Sequence, residues 1–234
     1  MILNIKMTDK DKIISNLNKI KENIRKTCEN VSRDPSGIKI IAATKYANPE
    51  QIQILIDSGI TDSGENKADD LVFKSGIVKG NLIWHFIGHL QSNKIKKVIP
   101  IVQYIHSIDN LSTLNKINDF AASIKKIQKI LIEVNISNEE TKYGIKLNET
   151  IDFIKNALKY DNIKICGLMT MAPLTDDFNY IRNIFSTLRN ELNKLNNHFK
   201  NLNLTELSMG MSNDYKIAVE EGATMLRIGS AIFV

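Results

Sequence analysis

The chain has 234 residues, of which 43% are hydrophobic and 24% charged, and it carries a formal net charge of +5. That length and core content suit one domain over residues 1–234, single α/β barrels being among the options. No apolar run reaches the ~18 residues of a membrane span, and the opening MILNIKMTDKDKI is too polar for a secretory signal, so a cytoplasmic, membrane-free protein is expected.

From the N-terminus, Ile13, Leu17, Ile20 and Ile24 recur at helical spacing and predict an amphipathic helix over 9–30. Short apolar runs then alternate with helical patterns. Strands are predicted at 38–44, 60–64, 82–87, 104–107, 129–135, 163–169, 206–209 and 224–228. Helical segments are predicted at 49–58, 67–74, 91–98, 110–126, 148–158, 176–197 and 213–221. Pro49 sits in a first-turn position behind an Asn48 cap, and Gly222 supplies a C-terminal stop. Eight strands with helices between them, after one leading helix, predict a (β/α)8 TIM barrel. An open doubly wound sheet is the competitor, but no GxGxxG follows the first strand and no composition break marks a second domain.

The two cysteines, Cys28 and Cys166, form no CxxC and fit a reduced chain. Cys166, within IKICGLM, reads as a small core hydrophobe. Lysines are scattered, and the densest run, NKIKK at 93–97, is short. We read this as a solvated basic surface and expect no nucleic-acid partner.

Chemistry in such barrels gathers where the strands end. After the seventh and eighth strands come MGMSND and RIGS, where barrels often hold a phosphate. Gly210 would let backbone approach closely, Ser212 and Ser230 offer hydroxyls, and Gly229 a backbone N–H. Ser212 or Asn213 would cap the helix that follows. The other reading of these segments is two ordinary Gly/Ser loops. Arg227 stands directly before the second loop, as a ligand-binding cation or as one half of a rim ion pair. His85 and His89 lie four apart, but HFIGH lacks the glutamate of HExxH, so a hydrogen-bonded histidine is expected there and no metal. Lys45 closes the first apolar run, immediately ahead of the Asn48-Pro49 turn. A deprotonated lysine amine forms Schiff bases with carbonyls; the alternative is a surface ion pair.

AATKYA (42–47), GEN (64–66), WHFIGHLQSNK (84–94), HSID (106–109), VNIS (134–137), GLMTMAP (167–173) and LSMGMSNDYKIAVEEGATMLRIGSAIF (207–233) together resemble the pyridoxal phosphate homeostasis protein family. The resemblance runs from about residue 40 to 233. It implies a barrel like the N-terminal domain of alanine racemase and a pyridoxal 5'-phosphate (PLP) cofactor, a form of vitamin B6. Lys45 matches the family's PLP lysine, which holds the cofactor as a Schiff base. Ser212, Gly229 and Ser230 match positions around the phosphate, and Arg227 matches the arginine that in racemase-like barrels faces the pyridine nitrogen. Asn66 and Met209 match the pocket wall. The implied function is PLP homeostasis, by a monomeric carrier or regulator without turnover and with PLP-dependent apoenzymes as recipients. The alternative is an amino-acid racemase. A racemase needs acid–base groups on both faces of the α-carbon. In the racemases that this barrel resembles, one of them is a tyrosine from a second domain, which is not expected here. An arginine at the pyridine nitrogen also weakens the ring as an electron sink. Two departures from the family pattern are KADD (67–70) where an aromatic and a Gln-Glu pair are usual, and the early stop at IFV.

Overall fold

The computed structural model describes residues 8–139 and 141–234. Helix α1 (Asp9–Asn30) opens on a capping box: Asp11 N donates to Thr8 Oγ1 at 3.2 Å, and Thr8 N donates to the Asp11 carboxylate at 3.3 Å. Its stripe of Ile13, Leu17, Ile20, Ile24 and Cys28 is buried. Then follow β1 (Lys39–Ala43), α2 (Pro49–Asp57), β2 (Asp62–Glu65), α3 (Ala68–Ile77), β3 (Ile83–Phe86), α4 (Ile95–Val98), β4 (Tyr104–Ile108), α5 (Leu111–Ser123) and β5 (Gln128–Asn135). The second half comprises β6 (Ile145–Lys146), α6 (Thr150–Ala157), β7 (Ile163–Met169), α7 (Phe178–His198), β8 (Glu206–Ser208), α8 (Tyr215–Glu220), β9 (Met225–Ile228) and α9 (Ser230–Phe233).

Eight strands close on themselves in the order β1-β2-β3-β4-β5-β7-β8-β9, every pairing parallel, with β6 attached to β5 outside the ring. This is the predicted barrel with its leading helix. The chain's first and last strands meet at the seam, where Lys39 pairs with Met225 and Ile41 with Arg227. Helix α1 lies over that seam, against α2, α8 and α9. Asn16 donates to the Ile232 carbonyl at 3.0 Å, and Arg33, just beyond the helix, donates to the Ala223 carbonyl at 2.9 Å.

Two apolar populations form. The larger fills the layer between strands and helices, with Leu17, Ile52, Leu71, Ile105, Phe185 and Leu226 among its members. The smaller, Ile41, Tyr104, Leu131, Cys166, Met169 and Met225, is separate from it and drawn from strands all round the ring, as expected of a barrel interior that alternate strand residues enter. Between β5 and β7 the register shifts so that Ile130 pairs with Ile165 but Leu131 with Gly167. Cys166 is the extra residue of this bulge. Gly167 then approaches β8 so closely that a Cβ would stand 1.8 Å from the Glu206 carbonyl oxygen.

The structure differs from the expectation at β6 and α9, which have two and four residues and are too short to display a period. It also corrects a cap: α8 has Asp214 at its N-cap position with no side-chain bond to the helix. Neither Ser212 nor Asn213 caps it. Instead Asp214 Oδ1 accepts from Met211 N at 2.5 Å, which folds the preceding loop back on itself.

Candidate functional site

The residues expected at a site come from four strands that are contiguous in the sheet, β2-β1-β9-β8. Lys45 lies two residues past the end of β1 and is exposed, with its Nζ 4.9 Å from the centroid of the Tyr46 ring. It forms no ion pair with a described residue, so the surface ion-pair alternative has no support. Gly229 follows the neighbouring β9, and a Cβ there would stand 3.2 Å from the Ala43 carbonyl oxygen. The loop after β9 therefore runs directly beside the chain that leads into Lys45. Ser212, from the loop after β8, joins it: its Oγ accepts from Gly229 N at 3.3 Å and Ala231 N at 3.1 Å. Gly210, at the start of that loop, has φ +90°, and a Cβ would come within 2.5 Å of Ala218 Cβ. Ser230 is exposed at the head of α9, and Met209 is fully buried behind the loop, its N–H bonded to the Met225 carbonyl. Asn66 is exposed just past β2, whose Gly64 pairs with Ala43.

The strand end beneath Lys45 is anchored from outside the barrel. Lys74 Nζ, on α3, donates to the Thr44 carbonyl at 2.7 Å and to Glu65 Oε1 at 2.8 Å. Thr44 Oγ1 donates to the same Glu65 oxygen at 2.6 Å and lies 2.8 Å from Ser63 Oγ. All four side chains are buried. The peptide that presents Lys45 is thus held by a buried ion pair, which resists displacement because breaking it strands a charge.

Arg227 is not a rim ion pair. It is 5% exposed, inside the barrel, donating to Ser208 Oγ at 2.5 Å and to the Thr170 carbonyl at 2.9 Å. Burial pulls its pKa down to about 10, against the opposing fields of Glu133 and Asp214. Ser208 Oγ is 2.9 Å from His106 Nδ1, His106 Nε2 is 2.9 Å from His85 Nδ1, and His85 Nε2 is 2.9 Å from Asp62 Oδ1. Both rings of the chain are held below the ordinary imidazole range by burial, His106 far below it. Burial pushes the Asp62 carboxyl up, but bonds from His85 and Thr61 outweigh this and hold it below the usual carboxylate value. His89, by contrast, is partly exposed and stacks on Tyr143 at 4.1 Å. The two histidines of HFIGH therefore do not share a site. Glu133, on β5, is almost buried; burial and then the Asp109 carboxylate push it up to about 7.

A family model for the N-terminal domain of alanine racemase matches residues 15–234. The pyridoxal phosphate homeostasis protein of Aquifex aeolicus (strain VF5) is 37% identical over 218 residues, 93% of this chain and 95% of that one. Its counterpart in Synechocystis sp. (strain PCC 6803) is 35% identical over 201 residues, covering 85% and 92%. This chain belongs to the pyridoxal phosphate homeostasis protein family. PipY of Synechococcus elongatus PCC7942, solved with PLP bound, superposes on this family member with a TM-score of 0.83 at 27% identity, over 95% of this chain and 100% of that one. Alanine racemase of Clostridium difficile 630 matches at 0.73 and 16% identity, over 95% of this chain and 56% of that one, a likeness of fold alone.

Of the interior groups in this homeostasis-family barrel, sequence reasoning reached only His85 and Arg227 as individual residues. Asp62, His106, Ser208 and Glu133 were missed as site groups. The signal was available in part: Glu133 is a charged residue inside the apolar run of β5, whereas Asp62 opens a strand, DSGE, that has no apolar residue to set it off.

Proposed function

We propose that this chain binds PLP at the mouth of its barrel and holds it in PLP homeostasis without catalysing turnover. The observation that carries the reading is the convergence of Lys45 and the Ser212–Gly229–Ser230 loops on adjacent strands. The fit with a phosphorylated aldehyde rests on that geometry. The backbone of the loop after β9 runs where a Cβ at Gly229 would crowd β1, and Ser212 and Ser230 leave hydroxyl hydrogens for phosphate oxygens. Membership of a family whose relatives are named for PLP supports the same ligand.

PLP would bring an aldehyde carbon that takes up an amine with loss of one water. Lys45 supplies that amine as a Schiff-base partner. Arg227 would face the pyridine nitrogen, and as a group that only donates hydrogen bonds it would favour the unprotonated ring. Asn66, exposed past β2, would border the bound ring, while Met209 supports the loop after β8 from behind. A ring kept unprotonated is a poorer electron sink; what separates a carrier from the racemase alternative is the second base that a racemase needs on the other face of the α-carbon.

Borohydride reduction of the PLP-loaded protein followed by peptide mapping tests the assignment. The reduced pyridoxyl group is expected on Lys45, and Lys45→Ala should lose the visible absorption band. A label found mainly on another lysine would refute the role of Lys45. For turnover, the loaded protein is incubated with single-enantiomer alanine in deuterated water. Racemisation and α-deuteration far below an ordinary enzyme rate of ~1 s⁻¹ are expected; ordinary rates lost on Lys45→Ala would establish a racemase instead.

A further inference from the structure

We propose that Asp62, His85, His106 and Ser208 form a one-way hydrogen-bond chain whose purpose is to fix the guanidinium of Arg227, which makes His106 and His85 positioning residues for the ligand site. The ligand-facing part of this inference rests on the PLP reading; the chain itself does not.

The proton count fixes the direction. Arg227 can only donate, and the Asp62 carboxylate can only accept. Between them lie one hydroxyl and two imidazoles, joined by four contacts of 2.5, 2.9, 2.9 and 2.9 Å. With both rings neutral, each intermediate group has one hydrogen to give. Arg227 donates to Ser208 Oγ, Ser208 to His106 Nδ1, His106 Nε2–H to His85 Nδ1, and His85 Nε2–H to Asp62 Oδ1. Every contact then holds one hydrogen and none is left over. Charging His106 would turn its Nδ1–H onto Ser208 Oγ and leave the serine hydrogen without an acceptor in a dry interior, which is costly. The burial that holds both rings neutral acts in the same direction.

The surroundings reinforce the order. Tyr104 of β4 stacks on His85 with centroids 5.0 Å apart. Lys39 of β1 and Glu206 of β8 pair with each other at 2.8 Å and contribute opposing fields at His85. At the other end, Glu133 and Asp214 are the carboxylates whose fields reach Arg227. Strands β2, β3, β4, β8 and β9 each contribute one member of the chain. Apolar side chains of similar volume would fill such an interior at less desolvation cost. A polar chain that ends on the one buried arginine of the described residues therefore reads as a device for that arginine.

The test combines ring and guanidinium NMR. In protein labelled with ¹⁵N-histidine, without cofactor, His85 and His106 are expected to be neutral Nε2–H tautomers at pH 7, and to stay so at pH 6. An Nδ1–H tautomer or an imidazolium at either ring at pH 7 would overturn the chain. The Arg227 Nη–H signals should be resolved in the parent, averaged by rotation in His106→Leu, and largely resolved again in His106→Asn, whose Oδ1 stands in for Nδ1 toward Ser208. In the PLP-loaded proteins the pH midpoint of the absorption change should move by about half a unit or more in His106→Leu and by less in His106→Asn. Arg227 signals and spectra that are the same in the parent and His106→Leu would reduce the chain to simple packing. If His106→Leu does not fold, the parent tautomers and the His106→Asn signals still decide. Intact tautomers in a protein that takes up no PLP would count against the PLP reading and not against the chain.

Discussion

Glu133 shows how one side chain can set a protein's response to pH. It is 4% exposed on β5, and burial followed by the Asp109 field moves its pKa from 4.5 to about 7. Between those values the folded state binds more protons than the unfolded state, so this group lowers stability as pH rises through the window. The shift corresponds to at most ~3 kcal/mol. His85 and His106 tilt the other way: held neutral when folded, they are protonated on unfolding below their ordinary pKa of about 6.5, and stability falls as pH drops through that value. Glu133→Gln is therefore expected to gain ~1–3 kcal/mol over the parent at pH 8 relative to pH 5, read from urea midpoints, while the loss of stability at acid pH attributable to the histidines persists. Equal slopes in parent and variant would mean that Glu133 titrates as an ordinary carboxyl. Nothing in the sequence around Glu133 shows this. Its strand reads as a near-continuous apolar run, and the carboxylate that raises its pKa lies 24 positions earlier, at Asp109.

Strands and helices were legible wherever they repeat a period. The stripe of α1 and the run of β7 each span enough residues to declare themselves, whereas β6 does not. Register is another matter. The bulge at Cys166 depends on β5 and the contact of Gly167 on β8, strands whose centres lie roughly 35 residues before and 40 after that of β7, and IKICGLM looks like any buried strand. The glycine is required because no Cβ fits 1.8 Å from the Glu206 carbonyl oxygen. Gly167→Ala must push β7 and β8 apart, and a loss of ~3 kcal/mol or more is expected in denaturant titration. A loss below ~1 kcal/mol would mean that the pair relaxes without strain. The loop after β8 gives the converse lesson. MGMSND marked a loop in which Gly210 allows close backbone approach, but not that Asp214 would bond to Met211 N instead of Ser212 or Asn213 capping α8. Several Asx and hydroxyl side chains within four residues can all serve as caps, and only the packed loop selects among them.

For the molecule as a whole, the strand count and alternation led to the closed barrel, and the strand-end rule singled out the rim where Lys45, Ser212, Gly229 and Ser230 gather. The interior was not legible, because alternation says that a side chain faces inward but not what it meets across the ring. That interior has an electrical consequence. The four bonds from Arg227 to Asp62 all point the same way, so their dipoles add instead of cancelling. In each bond the positive hydrogen points away from the guanidinium and toward Asp62, so the summed dipoles present a negative end to the Arg227 cation and a positive end to the Asp62 carboxylate and stabilise both charges. Helices that follow parallel strands turn their positive ends toward the same rim. An anion approaching the rim that carries Lys45 therefore meets the field of these helix ends before it touches any single residue.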